Sequence, residues 1–184
     1  ISVLDRLLID EKTQMSDLTH RLLDLAWENY RVNQLGMENR GSTGRGISPA
    51  YCDETGQWQI FYQSFLGCRT EFKIALAQRV QRAMDTIRYV CKVSENDWDG
   101  FFTTLTDAES QANKEALIEN IFPEAEFDFS RFKGNTPFSL NIEYLEDVYW
   151  NAGEQLARCI GDIRDELLQS KLLSKTIVAE FGQA

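Results

Sequence analysis

The chain contains one histidine, and this histidine lies between two aspartates at helical spacing. Asp17 precedes His20 by three residues and Asp24 follows it by four, so a helix would place the three side chains on one face. Such a set could move a proton or bind a metal ion. A two-metal site in a helical bundle also requires a carboxylate–histidine pair from another helix, and no second histidine is available. We therefore predict no catalytic residue, no metal ion and no cofactor.

Two acidic clusters occur near the end of the sequence, and clustered carboxylates can bind Mg²⁺, as in all-helical phosphohydrolases. Their members are Glu143, Glu146 and Asp147, and then Asp162, Asp165 and Glu166. If one helix carries both clusters, about nineteen residues separate them by roughly 28 Å, too far to share an ion within one subunit. Both clusters are therefore expected to be solvated surface. A magnesium-dependent phosphohydrolase is the third of three functional hypotheses.

The four cysteines are widely spaced and lack the Cys-x-x-Cys pattern of zinc and redox sites. Cys68 and Cys159 fall on apolar helical faces, and we expect both to be buried thiols in a reducing cytoplasm. Cys52 falls in a polar loop, so its thiol is the one expected to be accessible. This cysteine usage predicts a cytoplasmic location.

A glycine-rich loop covers residues 36–56 and contains five of the eleven glycines. Within it, Arg40 and Arg45 flank the hydroxyl groups of Ser42 and Thr43. Backbone amides of glycine-rich segments and a nearby helix N-terminus can bind an anion. The loop lacks the Gly-Lys-Ser/Thr ending of a Walker A motif. Two interpretations stay open, an anion site using Arg40 and Arg45 or a flexible surface connection.

The formal charge of −10 is unevenly distributed. Residues 57–93 carry six basic and two acidic side chains, whereas residues 94–140 carry three basic and ten acidic ones. The basic face of the first segment lies opposite its apolar stripe and comprises Arg69, Lys73, Arg82, Arg88 and Lys92. This face could bind an acidic protein, a phosphate-bearing ligand or nucleic acid, or be solvated surface screened by acids. The net negative charge makes nucleic acid the less favoured partner.

Arg79 differs from the other basic residues of this segment because it falls within the apolar stripe. A buried charge without a partner is costly. We therefore predict that Arg79 has an acidic partner, placed on the third long helix.

An aromatic segment, residues 122–138, has five phenylalanines in seventeen positions without helical period. Phe127, Phe129 and Phe132 are its candidate docking residues. The rings either pack on the rest of the protein or form an acidic-rimmed docking surface for another protein. Residues 127–129 alternate as a short edge strand would, which could accept a partner strand.

The elements that carry these residues are predicted from the apolar periodicity. Three prolines divide the chain, and each stretch between them repeats apolar residues at three- and four-residue steps. We predict one all-α domain over residues 1–184, an up-and-down bundle with two or three additional short helices. Its three long amphipathic helices cover about residues 2–35, 57–93 and 141–178, with an acidic and aromatic insert at 94–140. Asn141 or Ser139 could cap the third of them.

The functional hypotheses follow from the composition and from the lack of a recognisable group of catalytic residues. With 43% apolar and 26% charged residues, the chain is of ordinary globular type. No stretch reaches the ~20 apolar residues of a membrane span. The first hypothesis is a non-enzymatic protein–protein interaction module or accessory subunit, with another protein, or a second copy, as partner. The second is a binder of an anion, a nucleotide or nucleic acid through the basic face and the loop arginines.

Overall fold

The computed structural model describes residues 3–115 and 128–178, and these are mostly helical, which confirms the all-α prediction. The helices of the described residues are α1 (Leu18–Asn33), α2 (Ile47–Thr55), α3 (Arg69–Asp85), α4 (Glu95–Glu115), α5 (Ile142–Leu156) and α6 (Ile163–Leu172). Two short strands, β1 (Ile9–Asp10) and β2 (Ile160–Gly161), pair in parallel. Each of the three predicted long helices is shorter in the structure or divided.

The predicted helix 2–35 is wrong in its first half because a cap at Asp17 starts α1 at Leu18. The Asp17 carboxylate accepts the Thr19 N–H at 2.8 Å, and the His20 ring accepts the Asp17 N–H at 3.1 Å. This reciprocal capping box fixes an extended backbone at Asp17. Just before it, Met15 donates its N–H to the Ile60 carbonyl at 2.8 Å, so these residues pair with another segment instead of forming a helix.

The predicted helix 57–93 is interrupted at its start for a similar reason. Residues 60–62 pair with residues 13–15, where Tyr62 donates its N–H to the Thr13 carbonyl at 2.9 Å. A 3₁₀ turn, Tyr62–Leu66, follows. The long helical part then comprises α3 and a π-helical turn at Thr86–Val90.

The predicted helix 141–178 is two helices. Asn141 caps α5 by accepting the Tyr144 N–H at 3.1 Å, as its sequence position suggested. After α5 the chain forms β2, in which Ile160 is paired with Ile9. Asp162 then starts α6 by accepting the Arg164 N–H at 2.8 Å. Apolar spacing continues across this break, so periodicity could not reveal it.

The core lies where α1, α3, α4 and α5 meet. Leu22, Leu76 and Leu145 have no exposed surface. Phe72 packs against the Phe65 ring, with centroids 5.1 Å apart, and against the Trp150 ring at 5.6 Å. The apolar faces of α1, α3 and α5, one from each predicted stretch, therefore share one core.

The outer helix α6 buries none of its residues. Its leucines Leu167, Leu168, Leu172 and the following Leu173 are 46%, 53%, 68% and 65% exposed. No helix among the described residues is both long and apolar enough to cross a membrane.

The cysteines follow the prediction in part. Cys159 is buried and Cys52 is exposed, as expected, but Cys68 is exposed. The prediction for Cys68 fails because the residue precedes α3 as its N-cap and does not lie inside a helix. There the N–H groups of Glu71 and Thr70 hold the pKa of the Cys68 thiol below its ordinary value.

Candidate functional site

A buried polar cluster connects α1, α2 and α3. It comprises Asp17, His20, Asp53, Arg79 and Arg82, of which the first four are at most 3% exposed. Each of the three helices contributes side chains to the cluster from a different part of the sequence. Burial of so many ionisable groups is costly unless they pair with one another, and here they do.

His20 bonds through both ring nitrogens within this cluster. Its Nδ1 accepts the backbone N–H of Asp17, and its Nε2 lies 3.1 Å from Asp53 Oδ2. We assign the neutral ring with the proton on Nε2, because an acceptor at Nδ1 requires that tautomer. The carboxylate partner expected at Asp24 is instead Asp53. Since the ring is fully buried and both nitrogens are used, His20 positions α2 on α1 and cannot reach a substrate.

Arg79 has acidic partners, as its place in the apolar stripe predicted, but they lie on other elements than expected. Its Nη1 donates to Asp17 Oδ2 at 2.8 Å, and its Nε lies 3.4 Å from Asp53 Oδ2. Neither carboxylate belongs to the third predicted helix. That part of the prediction is wrong because a helical wheel shows which face is buried and not which element covers it.

Asp53 is the shared carboxylate of the cluster. Besides its contacts with His20 and Arg79, its Oδ1 accepts a hydrogen bond from Arg82 Nη2 at 2.7 Å. Burial raises the pKa of Asp53, but hydrogen bonds from His20 and Arg82 and the charges of both arginines outweigh it and lower the pKa. Asp53 is therefore ionised wherever the protein is folded near neutral pH.

The glycine-rich loop places α2 close to α1 through Gly46. This residue has φ +77°, and a Cβ there would lie 2.7 Å from the Arg21 backbone nitrogen, so only glycine fits. The Asp24 carboxylate accepts the Ser42 hydroxyl at 2.6 Å and the Gly46 N–H at 3.2 Å. The loop is thus attached to α1 at Ser42 and at Gly46.

A cavity of about 490 Å³, here called the loop cavity, lies between this loop, α1 and α2. Its polar and aromatic lining includes Trp27, Glu28, Arg31, Arg40, Ser42, Ser48 and Asp53. The volume is typical of small-molecule sites. Asp53 and Arg82 belong both to this lining and to the buried cluster, so the cluster forms part of the cavity wall.

Arg31 is the lining residue whose hydrogen bonding is incomplete. Its Nε is buried and has no hydrogen-bond partner among the described residues, and its guanidinium makes no ion pair with any of them. Among the described residues, Arg40 likewise bonds only through its backbone N–H, which donates to Glu28 Oε2 at 2.9 Å. The cavity therefore has two guanidinium groups that form no ion pair within the described part of the chain, and the carboxylates of Asp24, Glu28 and Asp53 line the same cavity.

The two predicted anion-binding arginines are separated by the structure. Arg40 lines the loop cavity. Arg45 lies outside its lining and pairs with Glu109 of α4, which also pairs with Arg21. Sequence reasoning missed Trp27, Arg31 and Asp53. Trp27 and Arg31 are four residues apart on one helix face, and this spacing was an available signal.

The predicted basic face is largely paired with carboxylates. Arg69 bonds to Glu146 and Asp147, and Lys73 bonds to Glu143 at 3.1 Å. The first acidic cluster thus meets the basic face and is not simply solvated. Arg82 bonds to Asp53, Arg88 lies over the Tyr89 ring at 5.1 Å, and Lys92 is exposed at a left-handed backbone position.

The structure describes two of the three candidate aromatic docking residues. Phe129 and Phe132 are half-buried and pack against the core, with ring centroids 5.9 Å apart. Phe132 also contacts the Tyr144 ring at 5.0 Å. Phe127 lies outside the described residues. Within the described ranges, the aromatic segment serves packing.

Metal binding finds no support in the part of the chain that the structure describes. No group of three or more histidine, cysteine, aspartate or glutamate side chains there is arranged to hold a metal ion. The carboxylates of the buried cluster instead face guanidinium groups.

Comparisons with known proteins give one local similarity. No family model matches the chain. An adenylosuccinate synthetase from Azobacteroides pseudotrichonymphae genomovar. CFP2 is 39% identical to it over 56 residues. This match covers 30% of the chain and 12% of the synthetase, so the chain is similar to a small part of that enzyme.

Proposed function

We propose that the chain binds a phosphate-bearing planar ligand, of which a nucleotide is the candidate class, in the loop cavity. The observation that carries the proposal is Arg31, a partly buried guanidinium in a cavity with no carboxylate partner among the described residues. A guanidinium satisfies its donors best with a phosphate or carboxylate, which it binds in bidentate geometry.

The other lining residues match the remaining parts of such a ligand. The Trp27 ring is 40% exposed and offers a face for stacking. Asp24 and Glu28 line the same cavity, and their carboxylates can accept hydrogen bonds from ribose hydroxyls or ring N–H groups. Arg40 and the hydroxyl of Ser48 add donors for the phosphate.

The similarity covers 12% of the synthetase, so the proposal rests on the lining of the loop cavity and not on that enzyme's ligand.

Isothermal titration calorimetry with adenosine monophosphate, adenosine and inorganic phosphate tests the proposal. We expect binding of the monophosphate, weaker binding of adenosine and a marked loss at high salt. Arg31→Gln should weaken monophosphate binding about tenfold or more, since a charge-assisted hydrogen bond contributes about 1.5–3 kcal/mol. The matched control is Arg164→Gln on α6, which is exposed and does not belong to the cavity lining.

Equal affinities of Arg31→Gln and the unaltered chain would refute the assignment to the loop cavity. Equal binding of adenosine and its monophosphate would refute the phosphate component.

A second candidate function, a protein–protein interaction module, is favoured by α6. It exposes several leucines, and exposed apolar side chains grouped on one element can mark an interaction site. Native mass spectrometry of the unaltered chain and of Leu168→Ser/Leu172→Ser tests a second copy as partner. We expect a dimer that the double substitution dissociates; a monomer in both samples would exclude self-association through α6.

A further inference from the structure

A second and larger cavity, here called the α3 groove, lies on the other side of Arg82 from the loop cavity. Its volume is about 860 Å³. One side follows a single face of α3 and the π-helical turn, from Ala75 to Val90, and the other side is the segment 57–60. Fifteen residue steps at ~1.5 Å each give the groove a length of roughly 22 Å, which suits an extended chain better than a compact small molecule.

The lining of the groove is close to neutral. Its arginines, Arg79 and Arg82, are already paired with the carboxylates of the buried cluster. Most of its other polar residues are glutamines. A phosphate or a strongly acidic ligand would find no free cation here among the described residues, so charge disfavours an anionic occupant.

Two exposed aromatic rings project along the groove. Trp58 is 61% exposed and Tyr89 is 62% exposed. The Trp58 ring packs on Arg82, whose guanidinium carbon lies 5.1 Å from the ring centroid. Tyr89 lies beyond Arg82 along the same wall, within the π-helical turn. Both rings therefore line the groove.

The polar groups beside these rings can donate hydrogen bonds and are not used within the described part of the protein. The indole N–H of Trp58 and the side-chain amides of Gln57 and Gln78 have no hydrogen-bond partner among the described residues. Such donors match a ligand that presents carbonyl groups. Proline-rich segments have this property, because proline keeps its carbonyl and lacks an N–H.

We propose that the α3 groove binds an extended, proline-rich segment of another protein in the polyproline II conformation. This conformation rises about 3.1 Å per residue with three residues per turn, so prolines three positions apart lie about 9 Å apart on one face. A groove of roughly 22 Å holds about seven residues in this conformation. Aromatic-lined grooves with hydrogen-bond donors are a recurrent way to bind such segments.

Asp85 sets the direction of the bound segment. It lines the groove one turn before Tyr89, and its carboxylate accepts a hydrogen bond from Gln81 but makes no ion pair within the described ranges. A basic residue at the corresponding end of the segment would pair with it. The groove thus selects a proline-rich segment flanked by lysine or arginine at the Tyr89 end.

Fluorescence anisotropy of a labelled peptide with two Pro-x-x-Pro repeats and a terminal arginine tests the proposal on the full chain. We expect saturable binding, and a loss of about tenfold or more in both Trp58→Ala and Tyr89→Ala, as for aromatic anchors of interfaces. Tyr51→Ala removes an aromatic ring that is 51% exposed and lines neither cavity; it is the matched control and should leave the affinity unchanged. Trp58→Phe should retain part of the affinity, since it keeps a ring and loses the donor.

The proposed ion pair between the peptide arginine and Asp85 is tested separately. Replacing the peptide arginine by glutamate should weaken binding to the unaltered chain and have a smaller effect on Asp85→Asn. The proposal is overturned if the peptide shows no binding at about 1 mM, if an alanine-substituted peptide binds equally well, or if Trp58→Ala and Tyr89→Ala bind as the unaltered chain does. None of these outcomes depends on nucleotide binding in the loop cavity.

Discussion

At the scale of single residues, the buried charges of Arg79, Asp17 and Asp53 determine how three parts of the chain meet. Arg79 also donates to the carbonyls of Met15 and Trp58, at 3.1 and 3.3 Å. One side chain therefore connects the start of α1, the end of α2 and the extended segment that follows it. Removing one member leaves the opposite charge buried without a partner. The resulting loss of folding free energy is larger than the net stabilisation that the intact pair provides.

Arg79→Met should lower the free energy of unfolding by about 3–5 kcal/mol, because methionine fills the volume and leaves Asp17 buried and unpaired. Urea denaturation followed by circular dichroism measures the loss. The control is Arg158→Met, whose pair with Asp5 has both side chains more than half exposed; its effect should be several-fold smaller. Equal effects of the two substitutions would show that the buried pairs do not stabilise the junction.

At the scale of elements, two close approaches through glycine fix how helices pack. Gly46 allows α2 to approach α1, and Gly153 allows α5 to approach the 3₁₀ turn that carries Phe65. A Cβ at Gly153 would overlap the Phe65 ring, which is 6% exposed and held by Phe72 and Trp150. Tertiary contact here outweighs the helix propensity that disfavours glycine.

Gly153→Ala should therefore destabilise the protein by about 1–3 kcal/mol, as overpacking does, although alanine is the better helix former. Gly100→Ala is the matched comparison, since Gly100 lies within α4 and a Cβ there would have no atom of the described residues within 4 Å. It should stabilise by about 0.5–1 kcal/mol. Thermal unfolding of both variants should show stability changes of opposite sign. A gain in stability from Gly153→Ala would contradict the packing of Gly153 against Phe65.

At the scale of the whole molecule, charge is paired between elements distant in the sequence. The basic face of α3 meets the carboxylates of α5, as in the pair of Lys73 with Glu143. Among the acidic residues that follow α3 in the chain, Glu109 pairs elsewhere, with Arg21 and Arg45. The net charge of −10 therefore conceals a set of cross-element pairs, and the cluster at Asp53 is the most buried of those described.

Acid should destabilise the fold through Asp53. Because its pKa is lowered in the folded protein, its stabilising contribution is complete above the unfolded value of about 3.9 and is lost as the pH falls through the lower, folded value. The difference in unfolding free energy between the unaltered chain and Asp53→Asn should be constant above about pH 5 and shrink at lower pH.

Urea denaturation across this pH range measures that difference. Glu54→Gln is the control, because the Glu54 side chain is exposed and makes no ion pair among the described residues. A difference between Asp53→Asn and the unaltered chain that does not change with pH would contradict the role given to the Asp53 charge.

The sequence by itself determined the all-α class, the apolar faces of α1, α3 and α5 that share the core, Asn141 as one of two candidate caps and the need of Arg79 for a carboxylate. These follow from periodicity, local hydrogen bonding and the cost of a buried charge, which residues close in the chain reveal. Tertiary structure alone decided where the helices are interrupted, since the breaks at residues 13–15, 60–62 and 160–161 arise from pairing with distant segments. It also decided which carboxylates meet Arg79 and which residues line the two cavities, because a helical face specifies burial but not the element that covers it.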